Sequence, residues 1–255
     1  MENQSVTAYP VVQDVPAALA FLGAVFGATE KFRAIGPAGG YHVELQIGDT
    51  GLMMGGGGPE VAWKGESRPM AFHIYVPDTD ATYGLALQAG AESLQPPKDQ
   101  EWGERTANVR DPAGNCWYIA TFKGENYFSE GAPTVQPYLQ PARCEPVIDF
   151  LVRAFGAEEL GRASAPDGTI LHTTLKVGNS AMELSDAMGI YRPMPGMFYV
   201  YVANADAAFG RAVEAGAEVV AAPADQEYGD RSGSVRDGAG NLWYIAAKLT
   251  GSGSL

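Results

Sequence analysis

The sequence predicts an α+β fold built of four βαβββ modules in two tandem pairs, and three observations carry that reading. The first is a long repeat. Asp99-Gln-Glu-Trp-Gly-Glu-Arg105 runs on to Val109-Arg-Asp-Pro-Ala-Gly-Asn115-Cys-Trp-Tyr-Ile-Ala120, and 126 residues later Asp225-Gln-Glu-Tyr-Gly-Asp-Arg231 runs on to Val235-Arg-Asp-Gly-Ala-Gly-Asn241-Leu-Trp-Tyr-Ile-Ala246. The second is what each copy encodes: an Asp-x-Ala-Gly-Asn turn, whose glycine supplies a positive φ, joins two β-rich segments into a closing hairpin. The third is the order of periodicities along the chain, strand then helix then three strands, met four times.

The elements follow in order. Thr7 to Val12 is a short β-branched and aromatic strand, and Asp14 to Gly27 is a helix with Leu19, Leu22 and Phe26 on one face and a glycine stop. Lys31 to Ile35, His42 to Gly48 and Leu52 to Met54 read as strands, with Gly55-Gly-Gly-Gly-Pro59 as a hinge between modules. No Lys-Ser/Thr follows those glycines, so they are not a phosphate loop. Ala71 to Val76 is a strand, Asp80 to Gly90 a helix, and strands near Ser93, Thr106 and Trp117 complete the first pair. The order then repeats: Val135 to Leu139, Glu145 to Gly156, Leu160 to Ala163, His172 to Val177, Ala181 to Leu184, Met197 to Val202, Asp206 to Gly216 and the second closing hairpin. This gives domain 1 at 1–123, a linker at 124–133, domain 2 at 134–249 and a flexible tail at 250–255.

Composition excludes several classes. With a net charge of −13 and only 17 Lys and Arg, phosphate backbones and anionic membranes are repelled, so nucleic acid is not an expected partner. No apolar run is long enough to span a bilayer and the first residues do not resemble a signal peptide, so a cytoplasmic protein is expected. Cys116 and Cys144 occupy unrelated places in the two repeats, which argues against a disulfide framework or a cysteine zinc site. Two copies on one chain favour a monomer acting as an internal pseudo-dimer. There is no nucleophile elbow and no dinucleotide fingerprint.

Paired βαβββ modules together with Ile148-Asp-Phe-Leu, Ala154-Phe-Gly-Ala157, Tyr201-Val-Ala-Asn-Ala-Asp-Ala207, Ala215-Gly-Ala217 and Asp237-Gly-Ala-Gly-Asn241 resemble the vicinal oxygen chelate superfamily, which contains glyoxalase I, extradiol dioxygenases and bleomycin-resistance proteins. The branch most similar is the PhnB-like one, and the resemblance covers nearly the whole chain. It implies two glyoxalase-like domains with concave mixed sheets, helices on one face and a cavity on the other. It also implies metal-ligand positions on the first and last strands of each module. Those positions carry Thr7 and Gln136, Met53 and Glu183, Ala71 or His73, Met197 or Tyr199, and Tyr118 and Tyr244. Most are poor ligands for a divalent ion. Gln136, Glu183 and His73, with Tyr118 in the fourth place, form the combination left if modules pair across domains.

Period-two alternation sorts the strand residues by face. Leu45, Ile47, Trp117, Ile119, Leu175, Val177, Trp243 and Ile245 are expected to pack on helices. Tyr9, His42, Glu44, His73, Tyr75, Tyr118, Tyr138, His172, Thr174, Glu183, Tyr199, Tyr201 and Tyr244 are then expected on the cavity face, with Trp102, Tyr228 and Trp63 on loops. His42 and His172 are read as sheet histidines bonded to neighbours, and Arg105 and Arg231 as hairpin-fixing ion pairs. The resemblance and this tyrosine-rich lining imply a small-molecule-binding protein of the bleomycin-resistance type. It would hold an aromatic or polycyclic metabolite or drug without a cofactor, using Tyr118, Tyr138, Tyr199, Tyr201, Tyr228, Tyr244, Trp102, His73 and Gln136. Two alternatives stay open: a divalent-metal lyase or dioxygenase at Gln136, Glu183 and His73, and a metal-free isomerase or cyclase using Glu183, His172 and Tyr244.

Overall fold

A computed structural model describes residues 4–124 and 132–249. The first half runs β1 (Val6–Ala8), β2 (Val11–Val12), α1 (Val15–Phe26), β3 (Thr29–Ile35), β4 (Tyr41–Ile47), β5 (Thr50–Gly56), β6 (Ala71–Tyr75), α2 (Thr79–Gln88), β7 (Glu92–Asp99), β8 (Glu104–Arg110) and β9 (Cys116–Phe122). The second half runs β10 (Val135–Leu139), α3 (Glu145–Phe155), β11 (Glu158–Ser164), β12 (Ile170–Val177), β13 (Ser180–Leu184), β14 (Met197–Tyr201), α4 (Ala205–Glu214), β15 (Glu218–Asp225), β16 (Asp230–Arg236) and β17 (Leu242–Lys248). This is the mixed α+β order read from the sequence. Most of the 124–133 linker and all of the 250–255 tail lie outside the described residues.

Local chemistry sets the helix ends. Asp14 accepts the Ala17 N–H at 3.0 Å and Gly27 closes α1 at φ 67°; Asp78 and Asn204 cap α2 and α4 in the same way. In α3 the cap position is Cys144, which has no capping oxygen, and the buried Asp186 carboxylate accepts the Cys144 N–H at 2.7 Å instead. Both cysteines are buried and free. None of the described helices is long and apolar enough to cross a membrane.

Packing is offset from the sequence repeat. Described residues of 9–138 form one compact unit and those of 2–8 with 139–255 form the second. Within the first, hydrogen-bonded strands follow the orders β2-β5-β4-β3 and β10-β6-β9-β8-β7; within the second, β11-β12-β13 and β1-β14-β17-β16-β15. β10 therefore pairs with β6, and β1 with β14. Each joining strand is pinned by a turn of its own unit. Thr134 and Val135 give their N–H groups to Asp49 (2.7 Å) and Thr50 (3.1 Å), as Ser5 and Val6 do to Asn179 (2.8 Å) and Ser180 (2.9 Å).

The helix-facing residues are buried as alternation requires. Trp117 stacks on Phe72 and meets Phe26 of α1, and Trp243 stacks on Phe198 and meets Phe150 and Phe155 of α3. Beneath each tryptophan the turn aspartate is a buried lock. Asp111 accepts from the Asn115 N–H (2.8 Å), the Asn115 amide (2.9 Å) and the Trp117 indole (2.9 Å), and Asp237 repeats the set with Asn241 and Trp243. Burial pushes the Asp111 carboxyl up, against these donors.

Two readings need correction. The opening strand breaks at Tyr9-Pro10 into β1 and β2, since proline cannot supply the ladder N–H. The supposed hinge begins inside a strand: Gly55 and Gly56 end β5, paired with β2 and β4. Glycine is required there because a Cβ on Gly55 would lie 2.9 Å from the Tyr9 ring and one on Gly56 would fall on the Val12 carbonyl. Arg105 and Arg231 do fix the hairpins, joining Asp99 and Asp225 to Asp80 and Asp206 in the first turns of α2 and α4.

Candidate functional site

Residues directly opposite one another on paired strands share a face, so the register defines rows of side chains. In the first unit one row crosses four strands: Gln136 faces His73, His73 faces Tyr118, and Tyr118 faces Asn108. In the second unit the corresponding row is Thr7, Tyr199, Tyr244 and Ser234. Gln136, His73, Asn108, Thr7, Tyr199 and Ser234 are buried, whereas Tyr118 and Tyr244 are partly open.

Rings dominate both rows. In the first unit Tyr118 meets Tyr138 with centroids 4.5 Å apart, and His73 meets Tyr75 at 4.6 Å. In the second the Tyr199 and Tyr244 rings lie parallel within 4° at 5.7 Å, with Tyr201 at 5.4 Å from Tyr199. Parallel, offset rings present a flat apolar surface edged by hydroxyls. Desolvation, with a lesser contribution from the Tyr228 hydroxyl, holds the Tyr199 hydroxyl protonated well above the ordinary phenol range.

Carboxylates that the sequence reading did not single out organise the rim. Glu104 is buried and accepts from Tyr75 (2.8 Å) and from the indole of Trp102 (2.8 Å), leaving the Trp102 ring 65% exposed. Asp230, at the corresponding place, accepts from Tyr201 (3.0 Å) and pairs with Lys248 (2.9 Å), which lies over the Tyr201 ring. Tyr228, the counterpart of Trp102, turns its hydroxyl to Tyr199 (2.9 Å) and Ser232 (3.3 Å) while staying 56% exposed. The signal that could have found these carboxylates was the repeat itself, where Glu104 and Asp230 keep an acid directly before the arginine.

The remaining sequence candidates form two local pairs. His172 Nε2 stands 3.3 Å from the buried Glu183 carboxylate in the second unit, a diagonal contact across β12 and β13. In the first unit Tyr9 bonds His42 Nδ1 at 2.7 Å, and Glu44 lies 3.9 Å from the other ring nitrogen. Of the composite set, Gln136, His73 and Tyr118 share a row, and Glu183 lies on β13 beside His172. No cluster of three or more His, Cys, Asp or Glu suited to a metal ion occurs among the described residues. A shallow recess of about 180 Å³ near Asp14, Phe21, Ser67 and Asp111 lies by the α1 N-terminus, away from both rows.

A paired-module α+β scaffold that sets one row of side chains across the strands of each unit defines a class, and comparison with known proteins gives its family. A model of the Glyoxalase/Bleomycin resistance protein/Dioxygenase superfamily matches residues 8–119 and 137–245, and the chain belongs to that superfamily. Glyoxalase I from Zea mays superposes with a TM-score of 0.74 over 95% of this chain and 92% of its own, at 15% identity. A putative dioxygenase from Bacillus subtilis subsp. subtilis str. 168 superposes at 0.62 over 95% and 84%, at 14% identity. Both show the shared fold. An uncharacterized protein of Mycobacterium tuberculosis (strain ATCC 25618 / H37Rv) is 38% identical over 124 residues, covering 44% of this chain and 73% of that protein.

Proposed function

We propose that this protein is a small-molecule-binding member of its superfamily, of the bleomycin-resistance and PhnB-like type, that sequesters a flat aromatic metabolite or drug without a metal. The observation that carries the reading is the composition of the two rows. A divalent ion held by this fold needs carboxylate or imidazole donors. The second-unit row offers Thr7, Tyr199, Tyr244 and Ser234, and the first-unit row offers one imidazole, two amides and one phenol. These sets do not fit such an ion. They do suit an aromatic ring, which stacks on tyrosine and needs a few polar contacts for orientation. A monomer in the cytoplasm, with two buried free thiols, is the setting that goes with this reading.

Elemental analysis of protein purified without a metal-affinity tag tests it, together with chelator treatment. The expected result is no stoichiometric Zn, Ni, Mn or Fe, and unchanged ligand binding after chelation. One equivalent of a transition metal per chain, lost along with function in Glu183→Gln, would replace this reading with a metal-dependent lyase or dioxygenase.

One observation favours a second reading. His172 and Glu183 place an imidazole open to solvent against a buried carboxylate, an arrangement that can move a proton to and from a bound carbon acid with no metal. Isomerisation of a bound ligand that is abolished by both Glu183→Gln and His172→Gln, with binding retained, would establish it.

A further inference from the structure

We infer that the second unit recognises a planar ring carrying a neutral oxygen, a phenol or a ring carbonyl, through the hydroxyl line Tyr199–Tyr228–Ser232. The inference rests on the reading above that this face binds an aromatic compound, and it adds which one. Tyr244, partly open and held parallel to the buried Tyr199 ring, supplies the surface on which a ring can lie. Tyr228, in the loop between β15 and β16, exposes more than half of its surface while its hydroxyl is tethered to Tyr199 and Ser232. An exposed ring held at its polar end is already ordered, so a ligand lying against it pays little further rotamer entropy.

The line has no fixed direction. Each of its three hydroxyls can donate or accept, so the chain can turn to offer a proton to a carbonyl or a lone pair to a phenol. An anion is disfavoured at the same place. Lys248 is neutralised by the buried Asp230, which also takes the Tyr201 hydroxyl, and the whole chain is negative. Among the described residues the first unit has no equivalent line, because His73 and Trp102 stand where Tyr199 and Tyr228 do and the indole N–H, which can only donate, is committed to Glu104.

Calorimetric titration of the full chain with 2-naphthol, naphthalene and 2-naphthoate tests this on wild type, Tyr228→Phe, Tyr199→Phe and, as a first-unit control that removes a hydroxyl outside either row, Tyr83→Phe. The expected result is 2-naphthol binding about tenfold more tightly than naphthalene, the size of one neutral hydrogen bond, with 2-naphthoate weakest. Tyr228→Phe should erase the naphthol advantage and leave naphthalene binding intact, while Tyr83→Phe should change neither. Equal affinity for naphthol and naphthalene in wild type, or an advantage that survives both tyrosine-to-phenylalanine changes, would overturn the hydroxyl line while leaving aromatic binding standing. Failure of all three probes to bind wild type would overturn the aromatic reading beneath it.

Discussion

Where the first unit carries Gln136, His73, Tyr118 and Asn108 across its strands, the second carries Thr7, Tyr199, Tyr244 and Ser234. Under both rows lies the same lock of aspartate, asparagine and tryptophan. Duplication has preserved what the hairpin needs and let the facing row diverge. The physical reason is the kind of contact each makes. The lock is a carboxylate surrounded by three donors that have no water to fall back on, so each member constrains the others. The row is largely buried too, but its members meet mainly through ring contacts, as in Tyr118 with Tyr138 and Tyr199 with Tyr244, which do not fix residue type as a three-donor carboxylate does.

The largest effect that can break this comparison is on stability. Asp111→Ala and Asp237→Ala each leave buried donors unsatisfied and should cost about 3 kcal/mol or more, by similar amounts in the two units. Urea denaturation of the two variants measures this. A loss in one and near neutrality in the other would mean that only one unit depends on its lock.

Next comes binding. Tyr228→Ala should weaken an aromatic ligand by about 2 kcal/mol with little change in thermal melting, because its ring is exposed. Tyr244→Ala should weaken it similarly. Trp102→Ala, at the corresponding rim of the first unit, should weaken the same ligand by less than half as much. Equal losses from Tyr228→Ala and Trp102→Ala would make the two faces equivalent for that ligand, and collapse of the fold in both tyrosine variants would place those rings in the core.

The smallest effect is on pH. Burial pushes the Asp49 carboxyl up, but the Thr134 N–H and hydroxyl and the Thr50 hydroxyl outweigh it and hold the group below the ordinary aspartate value. A depressed value means that this stabilisation is present above the ordinary range and is lost as pH falls through the folded value, below about pH 4. The second unit uses Asn179 at the same place, which has no charge to lose. The gap in melting temperature between wild type and Asp49→Asn should therefore narrow below about pH 4, and Asn179→Asp should introduce a similar acid sensitivity. A gap that stays constant from pH 3 to 7 would remove Asp49 as the source.

The fold was legible because its signals are local and repeated. Hydrophobic period, helix caps and the Gly-containing hairpin turn each depend on residues close in sequence, and the helix-facing set from Leu45 to Ile245 followed from alternation together with the helix and cavity faces that the resemblance implies. The site was legible in part. Alternation placed His73, Tyr118, Tyr199 and Tyr244 on one face, but the register that sets Gln136 against His73 and Thr7 against Tyr199 is non-local, and no sequence period encodes it. Glu104 and Asp230 were passed over for a related reason. An acid beside an arginine in a polar loop reads as solvent-exposed, and only the fold shows that its oxygens turn inward to tyrosine. Gly55 and Gly56 misled in the opposite sense, since glycine marks both a loose linker and a strand squeezed against a neighbouring ring.

The place of β1 also sets an order of assembly. Its anchors, Asn179 and Ser180, lie 174 residues further along the chain than Ser5 and Val6, and its strand partner β14 comes later still. During synthesis β1 (Val6–Ala8) long precedes β14 (Met197–Tyr201) and stays without that partner until β14 has been made, whereas the unit spanning 9–138 has all its strands once β10 has appeared. Contacts of such separation close slowly and leave an open strand edge in the meantime. One unit can thus close while β1 still waits for its own, so the late closure of β1 onto β14 is a step at which an unpaired strand edge can mispair with another copy of this chain.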